Sequence, residues 1–194
     1  MKLWLIRHGE TELTTQRRYC GHLDPPLTPT GELQARAIGE VLPSIDAVFS
    51  SDLRRAVDTA TLALGRSPTK LQELRELDFG QFEGLDADGC EKRDPAAYRS
   101  FVAQPWEGAP PGGETLCGLW VRCALGLQKV RTSKGATVAV FAHGGSIKAI
   151  LSLCLGLSPQ TWWQLEIAQG TASLIELWDG SATLKALNLG ARFR

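Results

Sequence analysis

Apolar residues along this chain gather in short blocks, and the spacing within each block predicts strands and helices. Leu3 to Ile6 is a continuous apolar run of strand length, the kind buried on both faces of a sheet. The segment RYCGHLDPPLTPTG follows as loop, with three prolines and two glycines. Thr30 is placed to cap a helix over GELQARAIGEVL, with Leu33, Ala37 and Val41 on its apolar side and Pro43 as its stop. DAVFSS predicts a second buried strand. DLRRAVDTATLAL predicts a helix with Leu53, Val57, Ala60 and Leu64 on one side and Gly65 at its end.

Residues 69–84 predict a strand that passes into loop at DFGQFEG. From Asp86 to Gly113 the chain is irregular and rich in Asp, Pro and Gly, with one helix at PAAYRSFVA. A helix is expected from Glu114 to about Val130, then a buried strand at ATVAVFA, the tripeptide HGG, and a helix over SIKAILSLCL. Two alternating runs around Asp179-Gly180 predict a hairpin. Strands alternating with helices imply an α/β fold, a three-layer sandwich in which a mostly parallel sheet carries helices on both faces. The expectation is one domain over residues 1–194, with 86–112 as an insertion covering the active site.

Composition then narrows the classes. With 194 residues and 43% apolar content the chain can bury a sizeable core. Lys+Arg and Asp+Glu both count 21, so there is no basic excess of the kind nucleic-acid and membrane-surface binders carry, and neither partner is expected. A small anionic substrate needs only a local basic pocket. Five cysteines at 20, 90, 117, 123 and 154 contain no C-x-x-C pair, which argues against a disulfide framework or zinc site and suits a reducing cytoplasm. The early apolar stretch is broken by Arg7 and His8, unlike a signal peptide, and AILSLCLGL is far short of a membrane span.

In open α/β sheets ligands bind beyond the carboxyl ends of the strands. The first predicted strand ends in Arg7-His8-Gly9-Glu10, the second in Ser50-Ser51 ahead of Arg54 and Arg55, and a later one in His143-Gly144-Gly145. Two of the three histidines thus share one kind of position, a strand end followed by glycine. HGGSI does not make a serine-hydrolase elbow, because Lys148 stands where G-x-S-x-G requires its last glycine. Histidines dispersed at 8, 22 and 143 do not have zinc-ligand spacing, and no metal is expected.

These blocks resemble the histidine phosphatase superfamily, in its phosphoglycerate-mutase-like branch. RHGET at 7–11 matches its signature, and R-x-x-G-x-x-D-x-P-L-T-x-x-G is matched from Arg18 to Gly31. SSDLRRAVDTA at 50–60, LRELDFGQFEG at 74–84, PGGET at 111–115 and VAVFAHGGSIKAIL at 138–151 follow in the family's order. The resemblance implies a metal-independent phosphoric monoester hydrolase, without cofactor, acting on a small phosphorylated substrate. His8 would be the nucleophile, with Arg7, Arg55, His143, Thr14 and Gly144 around the phosphoryl group and Glu76 as proton donor to the leaving oxygen. Arginine suits an anion because its planar fork stays charged and donates several hydrogen bonds. Gly9, Gly144 and Gly145 would let backbone approach the anion. Glu73 and Glu83 compete with Glu76 for the carboxyl role. Arg54 reads as a solvated helix residue.

Departures from the family pattern are few. Thr14 stands where many relatives have asparagine, Lys148 replaces an arginine on the helix after the site without expected consequence, and FGQFEG replaces FGxWEG. The chain lacks the length of cofactor-dependent phosphoglycerate mutases, whose extra segments keep water from the phosphoenzyme, so a phosphatase is the favoured reading. The GHLDPPL loop and PPGGETL segment most resemble alpha-ribazole phosphatase-type members, which act in cobalamin biosynthesis. Alternatives are mutase activity, a broad-specificity phosphatase, and a catalytically silent binding protein. Gly21 and His22 are expected at the substrate rim. Tyr98 and Trp106, with Arg99 and Phe101, either stack on a benzimidazole-like base or pack a small helix. The sequence does not define the oligomeric state.

Overall fold

The structure is a computed structural model and describes residues 1–190. Six strands form one sheet: β1 (Lys2–Arg7), β2 (Ala47–Ser51), β3 (Thr69–Leu71), β4 (Thr137–Ala142), β5 (Ala172–Trp178) and β6 (Ser181–Leu189). Their order is β3-β2-β4-β1-β5-β6. The first four run parallel, while β5 pairs antiparallel with both β1 and β6. The β5–β6 hairpin turns at Asp179-Gly180, where Gly180 takes a positive φ of 74°. A short α1 (Glu12–Thr15) and the longer α2 (Pro29–Val41) and α3 (Arg54–Leu64) are followed by α4 (Ala87–Arg93), α5 (Pro95–Ala103), α6 (Leu116–Arg131) and α7 (Gly144–Leu155).

The sheet is covered on both faces, as expected. Leu3, Leu5, Val138, Val140 and Ile175 point to one side and pack with Leu119, Cys123 and Leu127 of α6 and Ile147 and Ile150 of α7. Trp4, Ile6, Ala139 and Phe141 alternate to the other side, where Ile38 of α2 and Ala60 of α3 meet them. β1 is followed by the helices of one face and β4 by the helix of the other. Their adjacent carboxyl ends, Arg7 opposite Ala142, therefore form a topological switch point.

Several local readings need correction. Thr28, not Thr30, caps α2: its hydroxyl accepts the Gly31 amide at 3.0 Å and Pro29 takes the first helical position. The buried face of α2 is Gly31, Gln34, Ala35 and Ile38, whereas Leu33 is 57% exposed and Val41 38%. The helix turns polar Gln34 inward with Ala35 and Ile38 because the Gln34 side chain accepts the Glu10 amide at 2.8 Å. Likewise α3 buries Arg55, Ala56, Thr59 and Ala60. The strand expected ahead of the DFGQFEG loop lasts three residues and gives way to a 3-10 turn at Gln72–Leu74, and the loop itself holds another at Gly80–Phe82. Segment 86–113 holds two helices rather than one, capped by the Asp86 and Asp94 side chains. Thr115 caps α6, which begins one residue later. The register of α2 yields a stability test. Ile38→Ala is expected to cost about 2–5 kcal/mol and Leu33→Ala less than about 0.5 kcal/mol in urea unfolding, the reverse of what the sequence pattern implies.

Candidate active site

Three strand ends and two helix starts converge at the switch point. His8 follows β1, Arg55 lies in the first turn of α3 after β2, and His143 is the N-cap residue of α7 after β4. All three are almost wholly buried. The His8 Nδ1 atom lies 2.7 Å from the Gly9 carbonyl, which can only accept, so Nδ1 carries the proton. Nε2 is left with its lone pair and accepts Arg55 Nε–H at 3.2 Å. Burial pushes the His8 imidazole well below its ordinary pKa, and the adjacent Arg55 and Arg7 guanidiniums push in the same direction. His143 is lowered likewise by burial, then by Arg55. The two rings stand edge to face with centroids 5.0 Å apart.

Polar groups here are left without partners. Arg7 donates one guanidinium hydrogen bond to the Ile167 carbonyl at 2.5 Å, while its Nε and both ring nitrogens of His143 are buried with no partner among the described residues. Buried unpaired donors are costly, and their concentration beside the start of a helix marks a place that accepts an anion. Glu76 stands at the edge of this group. Its carboxylate accepts the Gly145 amide at 2.9 Å and its neighbour Leu77's amide at 2.9 Å. A Cβ on residue 145 would collide with that carboxylate, so the close approach requires glycine. Arg122 gathers the carbonyls of Glu73, Arg75 and Glu76 while pairing with both oxygens of Glu114, which fixes the Glu76 segment and gives the PGGET glutamate its use.

Beyond Glu76 opens a cavity of about 450 Å³ lined by Arg7, Tyr19, Phe79, Phe101, Lys148, Trp162, Trp163 and Glu166, among others. An outer groove of about 580 Å³, which includes Trp106 and Glu107, shares Trp163 with it and lies away from the histidines.

The expected residues therefore separate. Arg7, His8, Arg55, Glu76, His143 and Gly144 come together, with Gly144 against the Arg7 guanidinium. Thr14 does not join them as expected: its hydroxyl donates to the Thr11 carbonyl at 2.8 Å and accepts the Thr11 amide at 2.9 Å, closing the first turn of α1. The Gly9 and Gly145 amides are not directed at an anion but are taken by Thr59 Oγ1 and Glu76. Gly21 and His22 give their amides to Glu83, and the His22 ring sits 3.4 Å from Asp78. Tyr98 does not line the cavity; its hydroxyl lies 3.3 Å from that of Tyr19, which does. Trp106 packs edge to face on Trp120, which in turn touches Trp162. Of segment 86–112, Phe101 reaches the cavity. Of the rival carboxylates, Glu73 pairs with Lys129.

The sequence reading missed Lys148 and the 3-10 turn at Pro159–Gln164. Lys148 lines the cavity, donates to the Trp162 carbonyl at 3.1 Å and lies 5.1 Å from the Trp162 ring centre. Its position one helical turn after Gly144 could have revealed this. Tyr19, Trp162 and Trp163 carry no local signal beyond their aromaticity. Among the described residues no helix is long and apolar enough to cross a membrane.

Residues 3–190 match the model of the histidine phosphatase superfamily, branch 1. The chain is 35% identical to a bifunctional protein of Mycobacterium tuberculosis over 96% of its own length and 53% of the relative's, so it spans about half of that protein. It is 32% identical to the adenosylcobalamin/alpha-ribazole phosphatase of Salmonella typhimurium over 100% of this chain and 99% of that one. The crystal structure of the alpha-ribazole phosphatase from Shigella flexneri superposes with a TM-score of 0.91 at 29% identity, covering 97% of this chain and 96% of that one. Motif order, strand-end geometry and matches along nearly the whole chain agree: this chain belongs to the histidine phosphatase superfamily.

Proposed function

We propose that this chain is a phosphomonoester hydrolase that forms a phosphohistidine at His8, with alpha-ribazole 5′-phosphate as its substrate and the cytoplasm as its setting. The observation that carries the reading is the unprotonated His8 Nε2 among Arg7, Arg55 and His143, with the Glu76 carboxyl at the cavity edge. Five free cysteines suit a reducing compartment.

In the first step the His8 Nε2 lone pair attacks phosphorus, the bond to the leaving oxygen breaks, and that oxygen takes a proton from Glu76. Arg55 exchanges its hydrogen bond to His8 for one to a phosphoryl oxygen, and Arg7 and His143 supply the other donors. In the second step Glu76 accepts a proton from water as that water attacks phosphorus. The N–P bond breaks and inorganic phosphate leaves. Charge spread over the equatorial oxygens meets donors already in place, which is what phosphoryl transfer requires. The burial that keeps His8 neutral keeps it nucleophilic.

The leaving group enters the aromatic cavity. Tyr19, Phe79, Phe101 and Trp162 offer flat apolar walls, and Lys148 and Glu166 offer polar ends, a combination that suits a planar heteroaromatic group such as a benzimidazole. The near-complete overlap with the Salmonella phosphatase supports the same substrate here. We propose that the chain acts as one domain in which 86–112 covers the cavity mouth through Phe101 and, via Tyr98, supports Tyr19.

Chelator-treated protein is expected to hydrolyse p-nitrophenyl phosphate. His8→Ala should lose at least about 10³-fold in kcat. A rapid quench worked up in alkali should place phosphate on His8; full activity in His8→Ala would remove the mechanism. Among phosphomonoesters ranked by kcat/KM, alpha-ribazole phosphate is expected to lead. Lys148→Met should narrow its advantage over p-nitrophenyl phosphate by about 5- to 50-fold, and an unchanged ranking would remove Lys148 from substrate selection.

A pH dependence of stability follows from the two buried histidines. Both have folded pKa values below the ordinary 6.5, so the unfolded chain binds more protons below that pH. Stability should therefore be full above about pH 6.5 and fall as the pH drops toward the folded values. Urea midpoints measured from pH 8 to pH 5 should show this fall, and it should shrink in His143→Gln.

A further inference from the structure

Glu83 takes no part in the chemistry above, yet its carboxylate receives four backbone amides. Oε1 accepts His22 N–H at 2.7 Å and Phe79 N–H at 3.1 Å, and Oε2 accepts Gly21 N–H at 3.0 Å and Leu23 N–H at 3.3 Å. Three of those donors are consecutive residues of one loop. In a planar trans peptide the N–H of one residue and the C=O of the residue before it point in opposite directions. Fixing the Gly21 and His22 amides on Glu83 therefore turns the Cys20 and Gly21 carbonyls the other way. There they meet Arg55, whose Nη2 donates to the Gly21 carbonyl at 2.7 Å and to the Cys20 carbonyl at 3.2 Å. The Leu23 carbonyl takes Nη1 at 2.7 Å, which leaves Nε for His8 Nε2.

We propose that Glu83 is a positioning residue that acts through the Cys20–Gly21 and Gly21–His22 peptide groups to aim the Arg55 guanidinium at His8. The proposal rests on the phosphatase reading of the His8 site for its kinetic consequence, though not for its geometry. A carboxylate on one side of each peptide and a guanidinium on the other polarise it in the same sense, so the links strengthen one another. Arg55 needs such a frame because it is fully buried and its nearest carboxylate, Asp24, lies at 3.5 Å and is also engaged with the Arg54 amide at 2.7 Å. The close approach also accounts for Gly21, since a Cβ there would collide with the Leu77 carbonyl and the Glu83 carboxylate. No other carboxylate contacts the 21–23 amides among the described residues.

Glu83→Gln keeps the size of the side chain but sets an NH₂ against amide donors. It is expected to lower kcat/KM for p-nitrophenyl phosphate by about 10- to 100-fold, the scale of a misplaced catalytic group. In protein labelled with ¹⁵N-histidine, the His8 Nε2 signal should move toward its position in Arg55→Ala. The double variant Glu83→Gln/Arg55→Ala should lose no more than Arg55→Ala alone, since both act on one route. Glu83→Asp keeps two acceptor oxygens and should recover part of both readouts. Glu73→Gln, which loses only a pairing with Lys129, should match the wild type.

A wild-type kcat/KM in Glu83→Gln, an activity loss with an unmoved His8 signal, or additive losses in the double variant would each overturn the proposal. If Glu83→Gln does not fold, Glu83→Asp decides alone by the same signal and the same cycle. Wild-type protein that hydrolyses no phosphomonoester would overturn the phosphatase reading, while the His8 signal would still judge Glu83.

Discussion

The site depends on one buried cation, Arg55. A guanidinium withdrawn from water needs its N–H groups satisfied, and here four of the five are taken by backbone carbonyls and a histidine, with Asp24 3.5 Å from Nη1 rather than in close contact. That choice has consequences. A tight carboxylate partner would cancel the charge an anion needs, whereas neutral carbonyls hold the side chain and leave its field in place. The requirement reaches back into the fold: loop 20–23 must bring its carbonyls to α3, and α3 must turn Arg55 and Thr59 inward. Thr59 then donates to the Arg55 carbonyl at 2.7 Å and accepts the Gly9 amide at 3.1 Å, tying the cation's helix to the residue after His8.

The same cation sets the state of His8. Burial, Arg55 and Arg7 all oppose protonation of His8, and the Gly9 carbonyl selects which nitrogen carries the remaining proton. The imidazole is neutral, with its lone pair directed at the cation that an incoming phosphoryl oxygen would engage. Positive charge and a basic nitrogen, which oppose each other in water, coexist here because the scaffold and not the solvent positions them.

Much of this was legible in the chain. Strand ends followed by histidine and glycine pointed to the cluster of Arg7, His8, Arg55 and His143 that the fold brings together, because a buried apolar run ending in charge has a strong local signature. The three-layer α/β architecture followed from the same alternation. What was not legible depended on tertiary detail. The inward face of α2 carries Gln34 beside Ala35 and Ile38 because Gln34 meets an amide 24 residues away, so a periodicity reading that equates buried with apolar selects Leu33 instead. Thr14 looked like a phosphate ligand by register, but its hydroxyl is bonded to the backbone of its own turn. Lys148 looked peripheral because nothing local shows that Trp162 and Trp163 fold back over it. Glu83 was legible as a candidate carboxylate, though not as the acceptor of a loop's amides.

These successes and failures divide along the molecule's two halves. The proposed phosphate pole is made of strand ends, helix starts and backbone groups, all anchored in the sheet and closely tied to sequence register. The proposed leaving-group wall is made of side chains from separate segments: Tyr19 from the first loop, Phe79 from the 3-10 region, Phe101 from α5, and Trp162 and Trp163 from the turn after α7. Aromatic contacts running from Trp106 through Trp120 to Trp162 join that wall to α6 and to the outer groove. None of these aromatic residues touches the groups that would hold the phosphoryl oxygens through a hydrogen bond. Under the proposed mechanism, substitutions in the wall would change which alcohol departs while leaving the phosphate pole as it is. A scaffold with that division would keep one chemistry and vary its substrate, with the reaction carried by its motifs and the specificity by its aromatic packing.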